Sequence, residues 1–290
     1  MKSLLRLAGA GLSLCSAPVF SANLMLDFGA PASNSVVAAP YLTLSPGHAK
    51  GGVPASQTTW NTVSTSANRT DLLYADGSSA SALTLDLGQE TSGGSGVIDF
   101  GLNVGNLGLA GTGGAIPNQQ SLLGTGSIYG DNSSSTAAGR DGFFGGGTAA
   151  VTGTAIGMRL DGLATGDYVA YVMARNTNTN PASLAMNVYS SVGATAANFT
   201  FSSLTAQVQA NTGYATAGYA GQYTSFTQDE NYLAINFTIT EAGQSFFLAV
   251  DGGNDAVERR GFLNSVQIVP EPSVAMLGAI GLLFLFRRRI

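Results

Sequence analysis

The side chains able to do chemistry are few. His48, in "SPGHAKGG", is the only histidine of the 290-residue chain, and Cys15 is the only cysteine. A histidine-dependent triad would have to use His48, and no residue near it in sequence suggests such a partnership; a lone histidine in a Gly/Pro loop reads as a surface residue. The chain has no Gly-x-Ser-x-Gly elbow, no Gly-x-Gly-x-x-Gly turn and no phosphate-binding loop. Hydrolysis by two carboxylates depends on a spacing that sequence does not reveal. The acidic residues, however, sit mostly beside Gly, Asn or Ser, in turn-like settings. The expectation is a non-enzymatic protein.

Two binding chemistries deserve residue numbers. "DGGNDAVE" gathers Asp251, Asn254, Asp255 and Glu258 in one tight loop, and clustered oxygens suit a hard cation such as calcium. The competing reading is an ordinary turn, in which Asp and Asn satisfy local amides and Arg259 and Arg260 neutralise the acids. Carbohydrate contact would need an aromatic platform. Trp60, the only tryptophan, is one candidate, and Phe143, Phe144, Tyr219 and Tyr223 in Gly-rich surroundings are others. Large aromatics also fill sandwich cores, which is the alternative place for Trp60 and the tyrosines.

Composition sets the frame for these groups. Charged residues make up only 10% of the chain and glycine supplies 39 positions, almost twice its usual share, while hydrophobic content reaches 44%. Such hydrophobicity with low net charge argues against a disordered chain and for a β-rich exported one. From Asn23 to Val269 there are seven Lys and Arg against sixteen Asp and Glu, a net charge of −9. A body of that sign repels a phosphate backbone, so nucleic acid is not an expected partner.

The N-terminus reads as a signal peptide over residues 1–22. Lys2 and Arg6 precede the apolar run "LAGAGLSLCSAPVF", and small residues follow at Ser21 and Ala22. Cleavage fits after Ser21 or after Ala22. "LSLC" at Cys15 has Leu14 where a lipoprotein signal wants a small residue. Signal removal leaves a mature body without cysteine, which excludes disulfides, thiol catalysis and zinc–thiolate sites.

The other terminus is "VPEPSVAMLGAIGLLFLFRRRI". Residues 273–286 carry no charge, a stretch shorter than the roughly 20 apolar residues of a straight membrane-spanning helix. Arg287, Arg288 and Arg289 then read as a cytoplasmic stop under the positive-inside rule. Pro270 and Pro272 prevent a helix from continuing upstream and leave an extended segment outside the membrane. In order and position, Pro270-Glu271-Pro272, a short hydrophobic helix and an arginine cluster resemble the PEP-CTERM sorting signal of exported bacterial proteins. The resemblance covers residues 270–290. It implies export, transient anchoring in the inner membrane, processing by an exosortase, and a Gram-negative bacterium that makes extracellular polysaccharide. An uncleaved single-pass anchor is the alternative.

Between signal and tail, residues 23–269 show period-2 alternation. Leu83, Leu85 and Leu87 share one face of "ALTLDL"; Ile98, Phe100, Leu102 and Val104 share one face of "VIDFGLNV"; Leu233, Ile235, Phe237 and Ile239 face inward in "YLAINFTIT". "GDYVAYVMAR", "LAMNVYS", "QSFFLAV" and "GFLNSVQIV" are further strands, separated by turn signals such as "ADGSS", "GDNSS" and "NTNTNP". Many half-buried strands without intervening helices predict one all-β domain, an antiparallel β-sandwich of jelly-roll type. An N-terminal signal helix and the short C-terminal hydrophobic helix flank it. Residues 105–153, rich in Gly and Ser, read as a long loop, a pair of irregular edge strands or a disordered insertion.

The order "LDFGA", "WNTV", "LLYADGSSASALTLDL", "GLATGDYVAYVMAR" and "GFLNSVQIV" is similar to exported galactose-binding-like or malectin-like sandwiches, across much of residues 24–269. That resemblance implies a fold more than a ligand. Taken together, the sequence predicts a non-enzymatic exported protein, sorted to the cell envelope or extracellular polysaccharide matrix for a structural or adhesive role. The alternative is a lectin-like module with a specific glycan site, and a glycan-acting enzyme comes third. No cofactor is expected beyond structural calcium. The partners implied are the export machinery, the exosortase and polysaccharide.

Overall fold

The structure, a computed structural model, describes residues 22–29, 45–65, 67–102, 106–108, 128, 142–146, 154–175, 185–211, 224–252 and 260–271. Ser21, Pro272, residues 273–286 and Arg287–Arg289 lie outside the described residues, as do Val104, Tyr219, Tyr223, Asn254, Asp255 and Glu258. Among the described residues no helix is long and apolar enough to cross a membrane.

Fifteen strands and one short helix appear among the described residues: β1 Leu24–Phe28, α1 Pro46–Ala49, β2 Asn61–Val63, β3 Thr84–Glu90, β4 Val97–Asp99, β5 Asn106–Gly108, β6 Gly142–Phe144, β7 Ile156–Asp161, β8 Gly166–Met173, β9 Met186–Ala194, β10 Asn198–Thr200, β11 Gln207–Gln209, β12 Leu233–Ile239, β13 Gln244–Asp251, β14 Phe262–Leu263 and β15 Ser265–Pro270. Five strands form one sheet in the order β12-β8-β15-β1-β2, and seven form the other in the order β10-β4-β3-β7-β13-β9-β11. From β7 onward the chain passes back and forth between the two, through β8, β9, β12, β13 and β15, which is the jelly-roll-like sandwich that the alternation predicts. All pairings are antiparallel except β1 with β2.

Alternation does its expected work between the sheets. Leu24 and Leu26 of β1, Ala170 and Val172 of β8 and Val266 and Ile268 of β15 meet Leu85 and Leu87 of β3, Met158 and Leu160 of β7 and Phe246, Leu248 and Val250 of β13 in one buried cluster. Burying each such Leu, Ile or Phe contributes roughly 1.5–3 kcal/mol, which is how a cysteine-free domain holds. Leu233, Ile235 and Ile239 of β12 join this core, while Phe237 packs against it half-buried because β12 is an edge strand.

Two strands predicted as continuous are not. "VIDFGLNV" is extended only to Asp99, whose carboxylate then accepts from the Gly101 amide and turns the chain. "GFLNSVQIV" breaks at Asn264. Its first part, β14, joins β6 and β5 in a separate three-stranded sheet, and its second part, β15, enters the middle of the five-stranded sheet. Two of those three strands, β5 and β6, come from the 105–153 stretch.

The outer face of the seven-stranded sheet is also covered. β4 and β10 fold across it and set Ile98 down on β3 and β7, where a Cβ on Gly88 or Gly157 would approach Ile98 to 2.9 Å. Only glycine permits this close approach. Ile98, Phe100, Phe199, Phe201, Phe247 and Ala249 complete the second core.

Candidate functional site

The register places all strand ends in two sets. At one end lie the connections 162–165 (β7 to β8), 195–197 (β9 to β10) and 240–243 (β12 to β13), together with the start of β1 and the finish of β15. This is the turn end. At the opposite, loop end, the chain leaves β6, β8, β11 and β13 by longer connections, and β14 and β6 pair across the opening.

Where the strands part at the loop end, backbone groups lose their ladder partners and side chains supply new ones. Gln209 accepts from the Ala174 amide at 3.0 Å and donates to the Ala174 carbonyl at 2.9 Å. Gln209 Nε2 also donates to Asn211 Oδ1 at 2.7 Å, and Asn211 Nδ2 donates to the Ala174 carbonyl at 2.9 Å. Asn264 Oδ1 accepts from the Arg175 amide at 2.6 Å, the Asn264 amide bonds Met173 and its carbonyl receives Phe28. All four of these polar residues, Arg175 included, are buried. Asn264 thus releases the chain from one sheet to the next with its own amide, carbonyl and side-chain oxygen all bonded.

Predicted site residues divide between core and surface of this end. Phe143 is 1% exposed and meets Phe28 edge-on at 6.3 Å, so its ring lies in the core. Phe144 is half-buried, stacked on Phe262 at 5.4 Å, with the Arg260 guanidinium 5.0 Å from its centre. Arg260 therefore sits over aromatic rings, where cation–π attraction holds it. Trp60 lies away from this group, immediately before β2, and at 6% exposure it occupies the core position that was its alternative.

Asp251 closes β13 beside two residues the sequence did not single out. Asn187 Nδ2 donates to its Oδ1 at 3.1 Å and Tyr189 Oη donates to its Oδ2 at 3.3 Å, both from the neighbouring strand β9. Tyr189 leans on Phe201 with ring centres 4.8 Å apart. Burial, reinforced by the adjacent Asp251 charge, pushes the Tyr189 phenol up to about 12. A carboxylate, an amide and an aromatic ring therefore share one half-buried patch on the outer face of β9 and β13. Alternation in "MNVYS" marks Asn187 and Tyr189 as outward-facing, but only strand pairing shows that they face Asp251. Among the described residues no group of three or more His, Cys, Asp or Glu could hold a metal ion.

Toward the turn end the same face carries Arg159, whose Nε bonds Asp161 at 3.1 Å, whose Nη2 lies 3.3 Å from Asp86 and whose Nη1 donates to the Ala196 carbonyl at 2.7 Å. Ser245 donates to Asp161 at 2.6 Å. Burial raises the Asp86 proton affinity, and the Arg159 charge opposes that rise. The two carboxylates close on one arginine rather than across a cleft, an arrangement that ties strands together.

No family model and no curated protein matches the chain. Two similar solved structures are both carbohydrate-related. One is a family GH115 4-O-methyl-α-glucuronidase with specificity for decorated arabinogalactans, 12% identical at a TM-score of 0.26, covering 46% of this chain and 14% of that one. The other is CBM61 in complex with β-1,4-galactotriose, 9% identical at a TM-score of 0.26, covering 64% of this chain and 88% of that one. The chain thus spans only a small fraction of the glucuronidase.

Proposed function

We propose that this is an exported, non-enzymatic protein of the cell envelope or extracellular polysaccharide matrix, displayed by its sandwich for a structural or adhesive role. One observation carries the reading: β1 begins and β15 finishes at the turn end, opposite the loop end. Export leaders and sorting tails attach to those two strand ends. A tail held in the inner membrane, and processed there by an exosortase, would then direct the loop end outward. Pro270 is still paired with Tyr168 in the sheet, and the Glu271 amide donates to the Asp167 carbonyl at 2.9 Å, so the sheet reaches into the Pro-Glu-Pro segment.

The cysteine-free mature body permits a direct test. Single cysteines replacing exposed Ser92 at the loop end and exposed Thr165 at the turn end should differ in reaction with a membrane-impermeant maleimide on intact cells. Ser92→Cys labels readily and Thr165→Cys slowly while the tail is attached. Equal labelling in a strain that retains the tail would overturn the displayed orientation.

A second reading, a carbohydrate-binding module, is favoured by the Tyr189, Asn187 and Asp251 patch. A carboxylate and an amide can bond vicinal hydroxyls while an aromatic ring takes the apolar face of a sugar. Screening the exported protein on a glycan array, beside Tyr189→Ala, decides between adhesive scaffold and glycan reader. Of the calcium candidates only Asp251 lies among the described residues.

A further inference from the structure

The outer face of the five-stranded sheet is covered by the segment 45–57, and the ends of that segment are joined by one imidazole. Ser45 Oγ lies 2.6 Å from His48 Nδ1, and His48 Nε2 lies 2.8 Å from the Gln57 carbonyl oxygen. A carbonyl only accepts, so Nε2 carries the proton and Nδ1 is the bare nitrogen that accepts the Ser45 hydroxyl. Ser45 Oγ in turn accepts from Gln267 Nε2 at 2.7 Å, and Gln267 Oε1 accepts from the Gly47 amide at 2.8 Å. Gln57 is held on its other side by Asn23 Nδ2 at 2.6 Å. The segment is a compact loop whose two ends meet through the ring, clipped to β15 by a single glutamine.

We infer that residues 45–57 form a proton-gated cover: protonation of His48 parts the ends of the segment and lifts it from the outer face of the sheet. The hydrogen-bond polarity favours this. A proton on Nδ1 would face Ser45 Oγ, which already receives Gln267 and, at 3.4 Å, the His48 amide. The hydroxyl would have to turn its own proton away from the ring and accept more donors than it has lone pairs.

The charged and titratable groups on the elements packed there are Lys50 in the segment itself, 6.0 Å from the centre of the Tyr232 ring, Asp27 on the outward side of β1, Tyr171 on β8, Tyr232 ahead of β12, and Glu271 after β15. The hydrogen bonds of the ring go to Ser45 and Gln57. Burial holds the His48 proton affinity below the ordinary histidine value, against the raising influence of the Gln57 carbonyl. The sign follows: a depressed folded-state value stabilises the closed form fully above about pH 6.5, and that stabilisation is lost as pH falls below it.

Hydrogen exchange on the intact protein tests the gate. After correction for intrinsic rates, peptides within 45–57 should exchange several times faster at acidic pH than at neutral pH, while β8 and β15 keep their protection. Trp60, the only tryptophan, follows the segment and is buried, so its emission should shift red with the same midpoint. His48→Gln keeps a neutral donor and acceptor and should abolish both pH dependences. Unchanged exchange of the segment in the unaltered protein across that pH range would sink the inference without recourse to any variant. So would a transition that persists in His48→Gln.

Discussion

The two ends of the sandwich close by different chemistry. At the turn end the backbone turns on itself: Gly162 at φ +84° and Gly243 at φ +86° take conformations that L side chains resist, and the strands are rejoined within a few residues. At the loop end no such economy is available, because the chain must travel, and long-range side chains cap the ladders instead. Gln209 clamps Ala174 from 35 residues away, and Asn264 holds the Arg175 amide from 89. A local turn fixes an end through conformation; a polar clamp fixes it through satisfaction of buried groups. The second design works between strands that are distant in the chain.

The comparison breaks most visibly at Gln209. Gln209→Ala would leave the Ala174 amide without its acceptor in a fully buried site, and urea denaturation should show a loss of about 2–4 kcal/mol from one stranded donor and the lost packing. Next comes the turn end. Gly162→Ala should cost roughly 1–3 kcal/mol, because the positive φ is strained for alanine and the new Cβ meets the Ala82 carbonyl oxygen. If the two designs differ as described, exchange in the first variant should rise across β8, β9 and β11, and in the second only around the β7–β8 turn. The smallest effect belongs to Asp251→Asn, which leaves a hydrogen-bonding amide beside Tyr189 and should shift stability by under about 1 kcal/mol. Its signature is spectroscopic. Removing the carboxylate charge should bring the Tyr189 phenol down from about 12, though not to an ordinary tyrosine value, since burial is the larger cause. Ultraviolet titration reads that shift.

What sequence could foresee follows the same division. Period-2 runs located β3 and β12 with the correct inward faces, because Leu85 and Leu233 owe their position to burial alone; "QSFFLAV" located β13 without naming its inward face. Asp86 alternates with Leu85 and Leu87 and so faces away from the core, but lies buried against Arg159, a partner visible only once β3 and β7 are paired. Asn264 interrupts the apolar face that Phe262, Val266 and Ile268 otherwise form, but its Arg175 partner, 89 residues away, is not written nearby. His48 looked like a surface residue in a Gly/Pro loop. Its Ser45 partner is three residues away and was legible in principle; Gln57 and Gln267, which give the ring its purpose, were not. Of the patch on β9 and β13, the acid was noticed for its loop and the other two members were missed. Local chemistry is written along the chain, whereas satisfaction of buried groups is written across it.

The position of β15 has a mechanical consequence. It lies between β8 and β1, antiparallel to both, and its last residue is the first of the Pro-Glu-Pro segment. A pull on the C-terminus therefore runs along the strand axis and loads two ladders in shear at once, instead of peeling one edge bond at a time. Under such a pull, β15 is the strand the sheet releases last.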